Sequence, residues 1–315
     1  MVQTQLSTLK DKFSIFYLFA FFLLTSFKWR IGSSDEYETS VEDRNIMSHF
    51  SLEKTATLRL TATVMCAILY AGGSYMTAYI PSPWGFGQFR PAVVIPAFFA
   101  VIFGPAPAGL GAALGTLIAD SVKHGTLYMG SFLAAVPGNF IAFYLFGYMC
   151  KKFSWGRFIA ATNVTLTLAN FVTAFLYLYL FKQLYLQTLE LSLMDLTVLS
   201  LGLTLWWFVT MLPFVFLVTP VLIKAVAHSF PSIVPVEVKN SSLEQDLPSY
   251  TFTLSLVIPG AVLLILGLAA TFTPLGAFLA STNKILTIDP FQTLLYGSGV
   301  ALLSMGLYSY RRSRA

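Results

Sequence analysis

Asp120, Lys123 and His124 lie within five residues of one another at the end of an apolar stretch, 91–118, that contains no ionisable side chain of its own. A carboxylate at the edge of lipid has to find a partner. This cluster therefore either closes on itself, with Asp120 pairing to Lys123 at i,i+3, or presents charge to a bound molecule. Asn139 follows Pro137-Gly138 in the middle third of one apolar run, and Asn170 sits near the centre of another. An amide at that depth needs a hydrogen-bond partner, from a neighbouring helix or from a ligand. Asn163, nearer the end of its run, reads as a packing residue, and Glu190 and Asp195 read as part of a solvated loop.

Upstream, residues 81–90, PSPWGFGQFR, combine Trp84, Phe86 and Phe89 as aromatic cover, Gly85 and Gly87 as pivots, and Gln88 and Arg90 as polar contacts. That combination suits a mobile lid over an apolar ligand; the same aromatics also suit an interfacial belt. The candidate pocket is thus built from Trp84, Phe86, Gln88, Arg90, Asp120, Lys123, His124, Asn139 and Asn170. Arg90, Lys123 and His124 give its mouth a positive bias, and the rings can stack on a flat molecule. An aromatic or heterocyclic small molecule, an anionic group included, is the ligand class expected.

Covalent and acid–base chemistry finds no footing. The chain has no HExxH pair, phosphate-binding glycine loop, GxSxG turn or dinucleotide fingerprint, and its two cysteines, Cys66 and Cys150, stand apart. The expectation is a protein that is not an enzyme, with no catalytic residues, no metal and no cofactor; energy from ATP would have to come from another subunit. The net charge of +5 does not indicate nucleic acid, because the basic residues fall in short clusters beside apolar runs rather than in one aromatic-interleaved patch.

The elements that position these residues are membrane spans. With 56% hydrophobic and 10% charged residues and a mean hydropathy of +0.73, the chain is far from soluble averages of about 45–50% and about 25%. Runs of roughly 20 residues, long enough to cross, occur near 58–80, 127–149, 158–181, 196–223, 251–272 and 291–309. Between the first two, RPAVVIPAFFAVIFGPAPAGLGAALGTLIAD (90–120) reads as two shorter apolar passes folded about a Gly-Pro-Ala-Pro-Ala-Gly turn. Its prolines cost hydrogen bonds that lipid cannot replace, so this hairpin belongs inside a bundle or beside a cavity. The fold class expected is an all-α polytopic integral membrane bundle of about eight transmembrane helices, with one short Pro/Gly-rich helical hairpin.

Charge orients the bundle. From Lys54 onward, ten Lys or Arg (54, 59, 151, 152, 157, 224, 239, 311, 312, 314) fall on one side and four (90, 123, 182, 284) on the other. The positive-inside rule then puts both termini in the cytoplasm of a multi-pass cell-membrane protein. A single pass through 91–120 would put the Lys151 cluster outside; a hairpin, crossing or re-entrant, keeps it inside.

Three regions result: an N-terminal extension 1–54, a membrane core 55–230, and 231–315 with an inner loop and two additional spans. Within the extension, the apolar run 13–27 is short and flanked by basic residues on both sides, so it reads as an interfacial anchor, an extra helix, or sequence upstream of a true start at Met47.

The run from Thr57 to Lys152 resembles the substrate-binding S components of energy-coupling factor (ECF) vitamin transporters. The residues that carry the likeness are AGGSY at 71–75, RPAVVIP at 90–96, FGPAPAG at 103–109, GAALGTLIAD at 111–120 and VPGNF at 136–140. The resemblance implies a subunit that holds a vitamin or its precursor near the outer face under the loop after the first span. It also implies partners: a transmembrane T component and ATPase subunits, in addition to the lipid bilayer. A non-transporting sensor or scaffold with a partner on the inner loop 224–250, and an independent secondary carrier, are the alternatives.

Overall fold

The computed structural model of the chain describes residues 41–80, 86–241, 249–274 and 288–312. The apolar run 13–27 and Trp84 lie outside the described residues. A first unit extends to Leu52; the second, Glu53–Ala315, holds the membrane bundle.

Most of the described residues are helical, and none forms a strand of a sheet. The helices are α1 (Val41–Thr77), α2 (Val94–Phe103, entered through a 3-10 turn at Pro91–Val93), α3 (Pro105–His124), α4 (Val136–Met149), α5 (Trp155–Leu176), α6 (Leu193–Ser229), α7 (Val236–Asn240), α8 (Ser249–Phe272) and α9 (Ile288–Arg312). Among the described residues, five segments are long and apolar enough to cross a bilayer: Ala56–Thr77, Ser131–Met149, Trp155–Tyr185, Leu193–Ser229 and Phe252–Phe272. The chain is therefore an all-helical, multi-pass membrane protein by its elements. The eight crossings expected from sequence are not all supported by length and apolarity: Pro91–Phe103 and Leu295–Tyr308 are shorter, and α3 is interrupted by glycines, prolines and Asp120.

The hairpin at 91–120 forms as a pair of helices, and its break is a local backbone event. Gly104 has φ +85° and ψ −173°, a region essentially confined to glycine, and Pro105 then opens α3 at a position where its missing N–H costs nothing. Thirteen residues of 3-10 turn and α2 rise about 20 Å, short of a hydrocarbon core of about 30 Å, whereas the 20 residues of α3 match it. The two passes run in opposite directions, which brings Arg90 before the first and Asp120 near the end of the second to one level.

α3 is packed closely on both sides because its small residues let backbones approach. A methyl added at Gly115 would come 2.8 Å from the Ala67 carbonyl of α1, and one at Gly147 of α4 would come 2.6 Å from Cα of Pro105. α4 packs on α5 and α5 on α6, while α2 is inserted among α3, α4 and α6. Phe146, Trp155 and Phe158, all fully buried, fill the end of this core near Lys151. Apolar side chains on the opposite face of α1, among them Leu60, Ile68 and Met76, are exposed as a lipid-facing surface requires.

The two C-terminal helices, α8 and α9, pack chiefly on each other. Gly260 and Gly299 sit face to face, a methyl on the former meeting the Gly299 carbonyl at 3.0 Å, and the Phe216 and Phe252 rings, 5.7 Å apart, touch α8 to α6. α6 is longer than the run 196–223 read from sequence. Its 37 residues rise about 55 Å, so it extends past the core, carries Lys224 on its last turns and shortens the expected inner loop; Pro213 and Pro220 lie within it. Val234 and Val238 after it are buried.

Candidate functional site

The polar centre of the bundle is a buried ion pair. The Arg90 guanidinium donates to Asp120 Oδ1 and to the Thr116 hydroxyl, and reaches Gln88 Oε1 at 3.3 Å. The second Asp120 oxygen accepts from the Ser131 hydroxyl. Arg90, Thr116, Asp120 and Ser131 are all buried. Desolvating two opposite charges is costly, and good geometry with every remaining lone pair occupied is what repays it. The hairpin supplies the geometry, and Ser131, on the next segment, supplies a donor to the second carboxylate oxygen.

This arrangement corrects the sequence expectation for the cluster at the end of α3. Asp120 faces Arg90 instead of Lys123. Lys123 donates to the Ala78 carbonyl, with its ammonium 5.4 Å above the Tyr79 ring, so it ties α3 to the end of α1. His124 is exposed; its Nδ1 lies 2.7 Å from the Asp120 carbonyl oxygen and its ring stacks on Tyr128 at 3.8 Å. Neither Lys123 nor His124 lines the cavity.

The ion pair forms one wall of a cavity whose empty space, open mouth included, is about 810 Å³. Gln88, Arg90, Asp120, Asn139 and Asn170 from the sequence-derived set line it. Its remaining surface is largely aromatic and small: Tyr70, Tyr128, Phe143, Tyr177 and Trp207 surround alanines 134, 135, 142 and 169. Small side chains leave the volume, and flat rings shape it.

Two irregular helical segments bound the cavity. Residues Ser131–Ala135 form a π-helix, with the Val136 N–H bonded to the Ser131 carbonyl, just before Pro137, which has no N–H to give. Asn139, two residues on, is held locally: its Nδ2 donates to the Ala135 carbonyl at 2.8 Å, and its Oδ1 is 3.5 Å from the Tyr70 hydroxyl. Asn139 is thus tied to the break that its sequence position indicated. The second segment, Tyr177–Tyr185, continues α5 as a π-helix and sets Tyr177 against Tyr128, hydroxyl to hydroxyl at 3.2 Å. Asn170 is less committed, since its Nδ2 reaches only the Met211 sulfur, at 3.7 Å.

The mouth is pinned by residues 86–90. Gly87 has φ +72° and sits so tightly under Trp207 that an added methyl would fall 2.6 Å from the ring, and the Trp207 indole N–H donates to the Gln88 carbonyl at 3.0 Å. Phe89 donates its N–H to the Ile80 carbonyl at 2.9 Å and meets the Phe214 ring at 5.7 Å. Phe86 does not line the cavity; its ring lies 5.7 Å from the Lys182 ammonium, which also faces Tyr177 and Phe181. Gly87 and Trp207 act together, a pairing 120 residues apart that periodicity cannot reveal.

Several lining residues escaped the sequence reading. These are Tyr70, Tyr128, Ser131, Tyr177 and Trp207. Ser131 had one signal, its place just before the Pro137-Gly138 break. Asn163 donates to the carbonyl one turn earlier, at 2.9 Å, and Asp195 is held by the Ser192 cap of α6; both serve local structure. Cys66 and Cys150 are free and buried, and among the described residues no group of three or more His, Cys, Asp and Glu could hold a metal ion.

No family model matches the chain, and no curated protein or solved structure matches it.

Proposed function

We propose that the chain is the substrate-capture subunit of an ECF-like importer, holding a small molecule such as a vitamin or its precursor in the cavity between α3, α4, α5 and α6. The single observation that carries this reading is the cavity itself: roomy, mostly apolar, walled by rings, with a few converging polar groups and two distorted helices at its edge, as small-molecule sites are built. The likeness of residues 57–152 to S components supplies the importer context. In this reading the bundle crosses eight times, the mouth at residues 86–90 opens outward, and both termini are cytoplasmic.

Sidedness has a direct consequence. With single cysteines introduced at 124 and 313, an impermeant maleimide applied to intact cells should label the first and spare the second. The opposite pattern inverts the whole arrangement.

Capture without an engine makes a second expectation. Proteoliposomes that hold the chain alone should bind a ligand but accumulate none, and accumulation should require an added T component, ATPases and ATP. Broken helices around a central site also occur in secondary carriers, which gives the carrier reading its footing. Accumulation by the chain alone, driven by an ion gradient, would establish that reading instead.

A further inference from the structure

We infer that the cavity takes an uncharged ligand: a flat ring system whose polar edge offers a neutral donor and a neutral acceptor, as a carboxamide or lactam does. The inference rests on the capture reading and narrows it to a class of molecule.

The charges decide the class. Among the described lining residues, Arg90 and Asp120 are the charged ones, and each is spent on the other. Both carboxylate oxygens are occupied, by Arg90 and by Ser131, and the guanidinium is shared among Asp120, Thr116 and Gln88. A ligand carboxylate or ammonium would therefore lose its water without meeting an unpaired counterion, or would have to compete with one member of the buried pair for the other. The other cations nearby do not serve. Lys123 is committed to Ala78, His124 stacks outside on Tyr128, and Lys182 rests over the rings of Phe86, Tyr177 and Phe181.

The groups left with hydrogen-bonding capacity are neutral: the amides of Asn170 and Gln88, and hydroxyls such as that of Thr173. Asn170 Oδ1 accepts from none of the described residues, and its Nδ2 faces a thioether, a weak acceptor. Gln88 receives Arg90 on its oxygen, and its amide nitrogen has no acceptor among the described residues. An amide pairs with a neutral donor–acceptor edge in both directions. Trp207 and Tyr177 offer faces on which such a ring can stack.

A charge series of one shape tests this: quinoline-3-carboxamide, quinoline-3-carboxylate and the N-methylquinolinium-3-carboxamide cation, titrated calorimetrically into the purified full chain. The neutral amide should bind saturably, and both ions about tenfold or more weakly, because each leaves a charge uncompensated. Asn170→Asp places a free carboxylate in the cavity and should make the cation the preferred member, a reversal that a merely structural role for Asn170 would not produce. Binding of either ion to the wild type as tightly as the amide overturns the inference, as does an unchanged order in Asn170→Asp. Should an ion win while binding is lost on substituting Ala169→Phe, the cavity still captures ligand and the charge class alone is wrong. No saturable heat from any of the three also overturns the inference, and the capture reading is then decided by what the wild type carries through purification.

Discussion

Arg90→Met is expected to destabilise the protein by about 3–5 kcal/mol, the cost of leaving one member of a buried ion pair without the other. The reason is specific to the hairpin. Asp120 is 3% exposed, and after the substitution it keeps Ser131 but loses its cation. Asp120→Leu should cost as much from the other side, stranding the guanidinium with Thr116 and Gln88 as neutral acceptors. The double variant Arg90→Met/Asp120→Leu removes both charges and should be far more stable than either single one. Reversible unfolding in mixed micelles, read as a double-mutant cycle, gives the coupling directly. Singles and double that add without coupling would show that the pair does not hold the hairpin together.

That pair shows where sequence reasoning reached and where it stopped. Gly104 and Pro105 announced the hairpin, because a glycine–proline junction between two apolar runs has few other conformations available, and a hairpin is what the helices form. Once the hairpin is granted, chain geometry alone puts residue 90 beside residue 120. The i,i+3 neighbour Lys123 nevertheless looked like the nearer partner. Local spacing misled because the Asp120 side chain points into the bundle, while Lys123 turns toward the end of α1. Asn139 and Asn170 were legible as amides at depth, which need partners wherever they lie. Tyr70, Tyr128 and Trp207 were not, since an aromatic at helical spacing looks the same whether it fills a core or walls a cavity. Gly87 against Trp207 is a contact between a loop and a distant helix, and no local pattern encodes it. Crossing number was the weakest reading, because hydropathy cannot tell a full span from a helix as short as α2.

Filling the cavity should abolish capture while leaving the fold in place. Ala169 on α5 and Ala135 on the π-helical segment line the space from different elements, so a phenylalanine at either enters volume that is empty. Ala169→Phe and Ala135→Phe should therefore purify and elute as the wild type does. The direct measurement is to denature each purified protein, extract it and quantify released small molecules by mass spectrometry. The capture account predicts one compound released from the wild type at about one per chain and absent from both filled variants, since a bound ligand stabilises only a protein with room for it. The same compound at the same yield from the filled variants, or no compound from any of the three, would contradict it.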